Sequence, residues 1–352
     1  MTYMLRDITI LNYRCFQSFY IDNLARVNLI VGMNNSGKTS LLEAIYLLVN
    51  QGESPRYLID ILNSRGDINK SFNKNLFNQS FRIYNEELKN IFQGYQISTH
   101  HPIRIISQKQ DPLSLAIEPQ LSDRNLLNSE NFEIVFSYGL QLENQIIVHS
   151  DGTIRSQDGL FLNSNYSSQF LTISTLSFEE MAELWNSILL TPKENKVVEA
   201  LQILEPSVER IGFTSHPTST HSILLKLSGN LNPLPLTSMG DGIRRILAIA
   251  IAAVTVENGF LLVDEIDTGL YYQTQTDMWH FVLEVAKQLN VQVFATTHSW
   301  DCITAFAEAI AQSEERSVGK LFRLSRRDEN IRAVEYTPDE LSIAVNQSIE
   351  VR

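Results

Sequence analysis

Gly32-Met-Asn-Asn-Ser-Gly37-Lys38-Thr39 is the stretch on which the fold turns. It fits G-x-x-x-x-G-K-[ST], and it stands between the apolar run Arg26-Val-Asn-Leu-Ile-Val31 and a helical pattern from about Lys38 to Asn50, the strand, loop and helix context that the motif requires. Gly32 and Gly37 let the backbone curl so that its N–H groups and the helix N-terminus converge on phosphate oxygens. Lys38 then brings a point charge to the β- and γ-phosphates, and Thr39 a hydroxyl ligand to Mg²⁺. Asn34, Asn35, Ser36 and Ser40 complete the expected nucleotide-lining set around the loop.

A second element lies far downstream. Phe260-Leu-Leu-Val-Asp264-Glu265 reads as an apolar strand ending in two carboxylates. Asp264 can hold Mg²⁺ through its water shell, while Glu265 can orient and deprotonate a water attacking the γ-phosphorus. Adjacent carboxylates are common on surfaces, and the pair gains meaning from the phosphate loop elsewhere in the chain. Asp264 lies 226 positions after Lys38, shortly after the Ser238-Met-Gly240-Asp-Gly242 turn, and the next strand ends in Ala295-Thr-Thr-His298-Ser299.

That order, together with Asn12-Tyr-Arg14-Cys-Phe16 near the start and Asp264-Glu265-Ile-Asp267-Thr-Gly-Leu270, resembles the RecF, SMC and OLD branch of the ABC-type ATPases. The resemblance covers roughly 1–50 and 206–352. It implies an α/β fold of the ABC-type P-loop kind, with an antiparallel β lobe and an inserted mixed α+β subdomain. It implies ATP and Mg²⁺ as ligands, with Lys38, Glu265 and the switch histidine His298 catalytic, and Thr39 and Asp264 on the metal. Arg14, Asp267 and the signature residues Ser238, Gly240 and Gly242 join the nucleotide contacts, the signature reaching the γ-phosphate held by an opposite subunit. A homodimer or higher oligomer follows, with a regulated effector such as a nuclease or toxin on another chain, in anti-phage defence or DNA maintenance. The alternative is an ATP-stabilised scaffold or sensor with slow turnover. Some relatives carry a Toprim nuclease domain, and the stretch after His298 is too short for one.

Departures from the pattern are specific. Asp241 replaces the usual second glycine of the signature and reads either as a helix N-cap or as part of the site. Arg244 and Arg245 either offset its charge or couple the helix to a partner. Tyr271 stands where many relatives have His, and no glutamine has a convincing Q-loop context.

The composition agrees with a packed globular chain. Among 352 residues 43% are hydrophobic and 19% charged, with Gly 15 and Pro 10, which excludes disordered and fibrous classes. A net charge of -12 argues against general coating of nucleic acid, although Arg316, Lys320, Arg323, Arg326, Arg327 and Arg332 make the C-terminal hairpin basic. That cluster reads as a solvated face or as a contact for nucleic acid or an acidic partner. Cys15 and Cys302 are far apart and His100, His101, His216 and His221 lack partners for a metal site, so a reducing cytoplasm is expected, with no structural metal. The longest apolar run, Ile246 to Val256, is too short to span a bilayer, and the N-terminus lacks a signal-peptide pattern.

Along the chain, 1–50 and 206–352 are expected to form the ATP-binding domain, with 51–205 inserted. Three strands are expected in 3–32, a short helix around Tyr84 to Phe92, β-like runs at Asn131 to Ser137 and Leu140 to Val148 with a turn at Asp151-Gly152, and helices from Phe178 and Lys193. From Val208 on, strands alternate with helices, which argues for a largely parallel sheet covered on both faces.

Overall fold

The three opening strands form as read in the computed structural model, which describes residues 4–66, 88–109, 112–121, 132–139, 144–148, 154–156, 166–173, 176–216, 219–327 and 330–351. β1 (Ile8–Tyr13) and β2 (Phe16–Ile21) make an antiparallel pair, and β3 (Val27–Val31) runs into the phosphate loop and α1 (Lys38–Val49). β3 lies inside a six-stranded sheet with β9 (Ser168–Leu171), β13 (Phe260–Val263), β14 (Gln292–Thr297), β15 (Gly319–Arg327) and β16 (Asn330–Tyr336), in the order β16-β15-β3-β14-β13-β9. All neighbours in it are parallel except the hairpin β15-β16.

Period-two alternation sorts the side chains of this sheet between two cores. Val27, Leu29, Val31, Leu261, Val263, Val293 and Ala295 enter one core, with α3 (Phe178–Ile188), α4 (Pro192–Gln202), α5 (Asp241–Thr255), α6 (Tyr272–Gln288) and α7 (Trp300–Gln312). Ile30, Phe260, Leu262, Phe294, Phe322 and Leu324 enter the other, with α1, α2 (Ser54–Arg65) and the antiparallel lobe. α5 is apolar almost all round, and Ile243 to Val254 are buried apart from Arg244, which is why it reads as a core helix and not a surface one. α8 (Pro338–Asn346) closes the chain with a Thr337 and Glu340 capping box.

Residues 51–205 do not stand apart from the rest. β4 (Ile103–Ser107), β5 (Leu113–Leu121), β6 (Phe132–Tyr138), β7 (Asn144–Val148) and β8 (Ile154–Ser156) extend β1 and β2 into a seven-stranded antiparallel sheet, while β9 pairs with β13 as the edge of the parallel sheet. An edge strand is a template for pairing, and β1 and β13 each offered one to these segments. β10 (Val208–His216), β11 (Ser219–Leu227) and β12 (Leu234–Pro235) make a third sheet. The described part of the expected Tyr84 to Phe92 helix is 3₁₀ turn at Lys89–Ile91, and the Asp151-Gly152 turn lies outside the described residues. No helix among the described residues is long and apolar enough to cross a membrane.

Candidate nucleotide site

Parallel strands deliver their C-terminal ends to one rim, and the candidate residues gather there because β3, β13 and β14 are neighbours in register. Val31 ends β3 and opens the phosphate loop, Val263 precedes Asp264, and Thr297 precedes His298.

The loop is built for an anion. Gly32 takes φ 152, and a methyl there would sit 2.6 Å from the Leu324 carbonyl oxygen and 2.7 Å from Ser36 Oγ. Gly37 takes φ 95 and starts α1 with no side-chain cap, which leaves the helix's first N–H groups and its positive end directed at the loop. Ser36 Oγ is buried and has no hydrogen-bond partner among the described residues. Lys38 folds its ammonium back over the loop, donating to the carbonyls of Gly32 at 2.7 Å and Met33 at 3.1 Å. Burial holds this ammonium below the ordinary lysine value, with the charges of Asp264 and Glu265 pulling the other way. Uncompensated N–H groups, an orphaned hydroxyl and a buried cation together suit a polyphosphate.

Thr39 donates its hydroxyl to Asp264 Oδ2 at 2.8 Å across 225 positions of sequence. A hydroxyl and a carboxylate so placed are hard oxygen donors, the set with which Mg²⁺ is held when a phosphate and waters complete its shell. Among the described residues no group of three His, Cys, Asp or Glu side chains could hold a metal alone. Ser40 is buried on the first turn of α1, and Asn34 and Asn35 are exposed on the loop, Asn35 with a left-handed φ of 62.

Glu265 also sits in the left-handed region, with φ 46. Such a backbone costs of order 1–3 kcal/mol for a residue with a side chain, and here neighbouring groups hold it in place. Its N–H donates to Thr296 Oγ1 at 2.9 Å, and its carbonyl accepts from Arg245 at 2.9 Å. The turn places His298 Nδ1 3.4 Å from Glu265 Oε1, so the proposed base and switch histidine are neighbours. Asp267 accepts from Thr297 Oγ1 at 2.6 Å, which ties the loop after the acidic pair to β14.

Three residues take partners that the chain alone does not disclose. Arg245 is 1% exposed and donates to the carbonyls of Thr172 at 3.0 Å, Asp264 at 2.7 Å and Glu265 at 2.9 Å. It therefore neither faces a partner nor offsets Asp241, but clamps the acidic pair from beneath. Thr296 Oγ1 donates to Asp264 Oδ1 at 2.5 Å while accepting the Glu265 N–H. Arg14, expected at the nucleotide, is committed to Glu43 of α1, with Nε 2.7 Å from Oε2. An Arg-Arg pair after a glycine turn and a Thr-Thr pair before a histidine were visible in the chain, but their bonds join elements far apart in sequence.

The signature turn leads into α5, with Ser238 and Met239 in a 3₁₀ turn (Leu236–Met239) and Asp241 and Gly242 on the first turn of the helix. Gly240 is its N-cap, φ 86, so Asp241 is the first helical residue and does not cap it. Ser238 is exposed and donates to the Pro235 carbonyl at 2.6 Å. A methyl on Gly242 would lie 3.0 Å from the Gly269 carbonyl oxygen, so the turn packs on the loop that carries Asp267. Among the described residues neither Ser238 nor Gly240 bonds to the phosphate loop. Tyr271 and Tyr272 follow, both half-exposed, with ring centroids 4.6 Å apart. In the basic hairpin, Lys320 pairs with Glu335 at 2.6 Å and Arg316 with Asp339 at 3.7 Å.

With this geometry in place, the comparisons are consistent with one another. The family model described as "AAA domain, putative AbiEii toxin, Type IV TA system" matches residues 27–301. An ATP/GTP phosphatase of Helicobacter pylori is 21% identical over 371 residues, covering 93% of this chain and 94% of its own. An uncharacterised protein of Methanocaldococcus jannaschii is 32% identical over 93 residues, 26% of this chain and 80% of its own. An Smc head bound to the C-winged helix domain of ScpA superposes with a TM-score of 0.52 at 14% identity, over 95% of this chain and 98% of that one. An Smc head domain with an extended coiled coil, bound to the C-terminal domain of ScpA derived from Pyrococcus furiosus, gives 0.50 at 12% identity over 98% and 99%. At these identities the likeness to Smc heads is one of fold.

Proposed function

The chain belongs to this AbiEii-type AAA domain family and is an ABC-type P-loop ATPase of the RecF and SMC kind, and on that premise we propose that it binds and hydrolyses Mg-ATP at the rim described above. One observation carries the reading: Thr39 and Asp264, from the two motifs that an ATPase of this kind needs together, are 2.8 Å apart. Gly32 to Ser40 hold the phosphates, Lys38 supplies countercharge, and Thr39 with Asp264 holds Mg²⁺, which when bound neutralises charge on the transferring phosphate. Glu265 accepts a proton from the attacking water, and His298 orients that water or the phosphate beside it. Arg245 and Thr296 hold the backbone of Glu265 in its left-handed turn. Release of inorganic phosphate from Mg-ATP by the parent and its absence with Lys38→Ala is the test; a parent that neither binds nor hydrolyses ATP overturns the reading.

The wider role we propose is supported by the signature turn, whose Ser238 and Gly240 are exposed. Ser238 and Gly240 contact the nucleotide of a second copy, so two subunits sandwich two nucleotides, and closure regulates an effector on another chain, such as a nuclease or toxin, in an OLD-like arrangement. Met33, at the exposed tip of the phosphate loop, and the exposed Tyr271 and Tyr272 at the start of α6 support a covered rim. The ATP-binding part comprises 1–50 and 206–352, with β9 lent by 51–205.

A further inference from the structure

Glu43, on α1 four residues past Thr39, is 1% exposed and takes no part in the chemistry above. Its Oε2 lies 2.7 Å from Arg14 Nε and accepts the Tyr13 hydroxyl at 3.2 Å, while its Oε1 lies 2.5 Å from Arg65 Nε at the end of α2. A buried carboxylate between two guanidiniums stabilises a fold little compared with an apolar packing of the same volume, so its presence asks for another account. Arg14 supplies one. The Arg14 guanidinium donates from Nη1 to the Asn90 carbonyl at 3.2 Å, and the Arg14 backbone N–H donates to the Ile91 carbonyl at 2.8 Å. The backbone there is strained, with Asn12 at φ 58 and Arg14 at φ 50, and these contacts hold the β1-β2 turn in that conformation. The turn in turn walls the phosphate loop: a methyl built on Gly37 would lie 2.9 Å from Cys15 Sγ and 2.9 Å from the Phe16 ring.

We infer that Glu43 is a positioning residue for the nucleotide, acting through Arg14 on the Tyr13–Phe16 turn that fixes Gly37 at the start of α1. The inference rests on the ATPase reading and deepens it. The contacts run from Glu43 to Arg14, from Arg14 to the turn, and from the turn to Gly37, while Asp264, Glu265 and His298 follow the ends of β13 and β14. Loss of the cluster therefore weakens ATP binding and spares the hydrolytic step.

The test separates this from a purely structural role. Arg14→Met, Glu43→Leu and Arg65→Met combined in one chain remove every charge of the cluster and replace it with apolar bulk, which keeps a fold stable where breaking one partner does not. Melting without nucleotide and steady-state ATP hydrolysis are measured on this variant, on Arg14→Lys and on the parent. Expected is a melting point within a few degrees of the parent, KM for ATP raised by about tenfold and kcat within about twofold, the pattern of a misplaced binding group. A folded triple variant with parental KM overturns the inference, as does a fall in kcat at unchanged KM. Should the triple variant not fold, Arg14→Lys decides: an ammonium cannot serve Glu43 and the Asn90 carbonyl as a guanidinium fork does, so KM rises by about threefold or more if the inference holds, and a parental KM overturns it. A parent without ATPase activity removes the ATPase reading itself, and this inference with it.

Discussion

Thr296 and Asp264 face each other across the gap between β14 and β13, the hydroxyl donating to Oδ1 at 2.5 Å while it accepts the Glu265 N–H at 2.9 Å. One side chain thus orients the metal-binding carboxylate and pins the backbone of the general base. Thr296→Val keeps the shape and β-branching but leaves a buried N–H without its partner, at about 1–3 kcal/mol of stability. We expect ATP hydrolysis to fall by about 10–10² while nucleotide affinity changes little, because small displacements of reacting groups cost on that scale. Parallel calorimetric titration and phosphate-release assays check this; affinity lost as steeply as turnover would place Thr296 in binding instead.

Glu265→Gln should retain ATP and lose hydrolysis by about 10²–10⁴, since the amide preserves shape but cannot take the proton from water. His298→Ala should cost less, because its Nδ1 lies 3.4 Å from Glu265 and the carboxylate remains. Single-turnover measurements with radiolabelled ATP distinguish the two; equal loss from both substitutions would make His298 the base.

The phosphate loop trades stability for binding at Lys38. Burial lowers its ammonium from the ordinary lysine value, so without nucleotide the unfolded chain holds that proton more readily and the charge weakens the fold. Lys38→Met should raise the melting point of the nucleotide-free protein while abolishing the stabilisation that Mg-ATP gives the parent. The penalty is full below the lowered folded value and disappears as pH climbs toward the ordinary one, so the gap between variant and parent should narrow in alkaline buffer. Scanning calorimetry across neutral to alkaline pH, with and without Mg-ATP, measures it, and a parent more stable than the variant at neutral pH would refute it.

A mixture of Lys38→Ala and Ser238→Arg subunits tests the two-fold sandwich. Each variant alone lacks a complete site, but a heterodimer of the two contains one intact composite site and one doubly damaged one. Recovery of part of the parental ATPase rate on mixing is expected. If firing needs both sites, ATP-dependent dimerisation of Glu265→Gln in ultracentrifugation is the corresponding readout, and a protein that stays monomeric at saturating Mg-ATP argues for the scaffold alternative.

The phosphate loop, the acidic strand end, the signature turn and the histidine were legible in the chain because each is a contiguous run whose local backbone decides its chemistry: glycines for a curled loop, an apolar run for a buried strand, a carboxylate at its end. The order of those runs was enough for the fold family, and short apolar runs were enough for the strands β3, β13 and β14, which are buried on both faces. What the chain could not disclose is which long-range partner each polar group takes. Arg14, expected at the nucleotide, meets Glu43 of α1 at 2.7 Å, and Arg245, expected to offset Asp241 or couple the helix to a partner, is turned by α5 beneath the Asp264 and Glu265 carbonyls. Within the 51–205 stretch, the pairing of β9 with β13 and of β4 with β1 is set by strands far away in the chain. A buried charge or an open strand edge is satisfied by whichever group the packing of distant elements brings within about 3 Å, and that choice exists only in the folded chain.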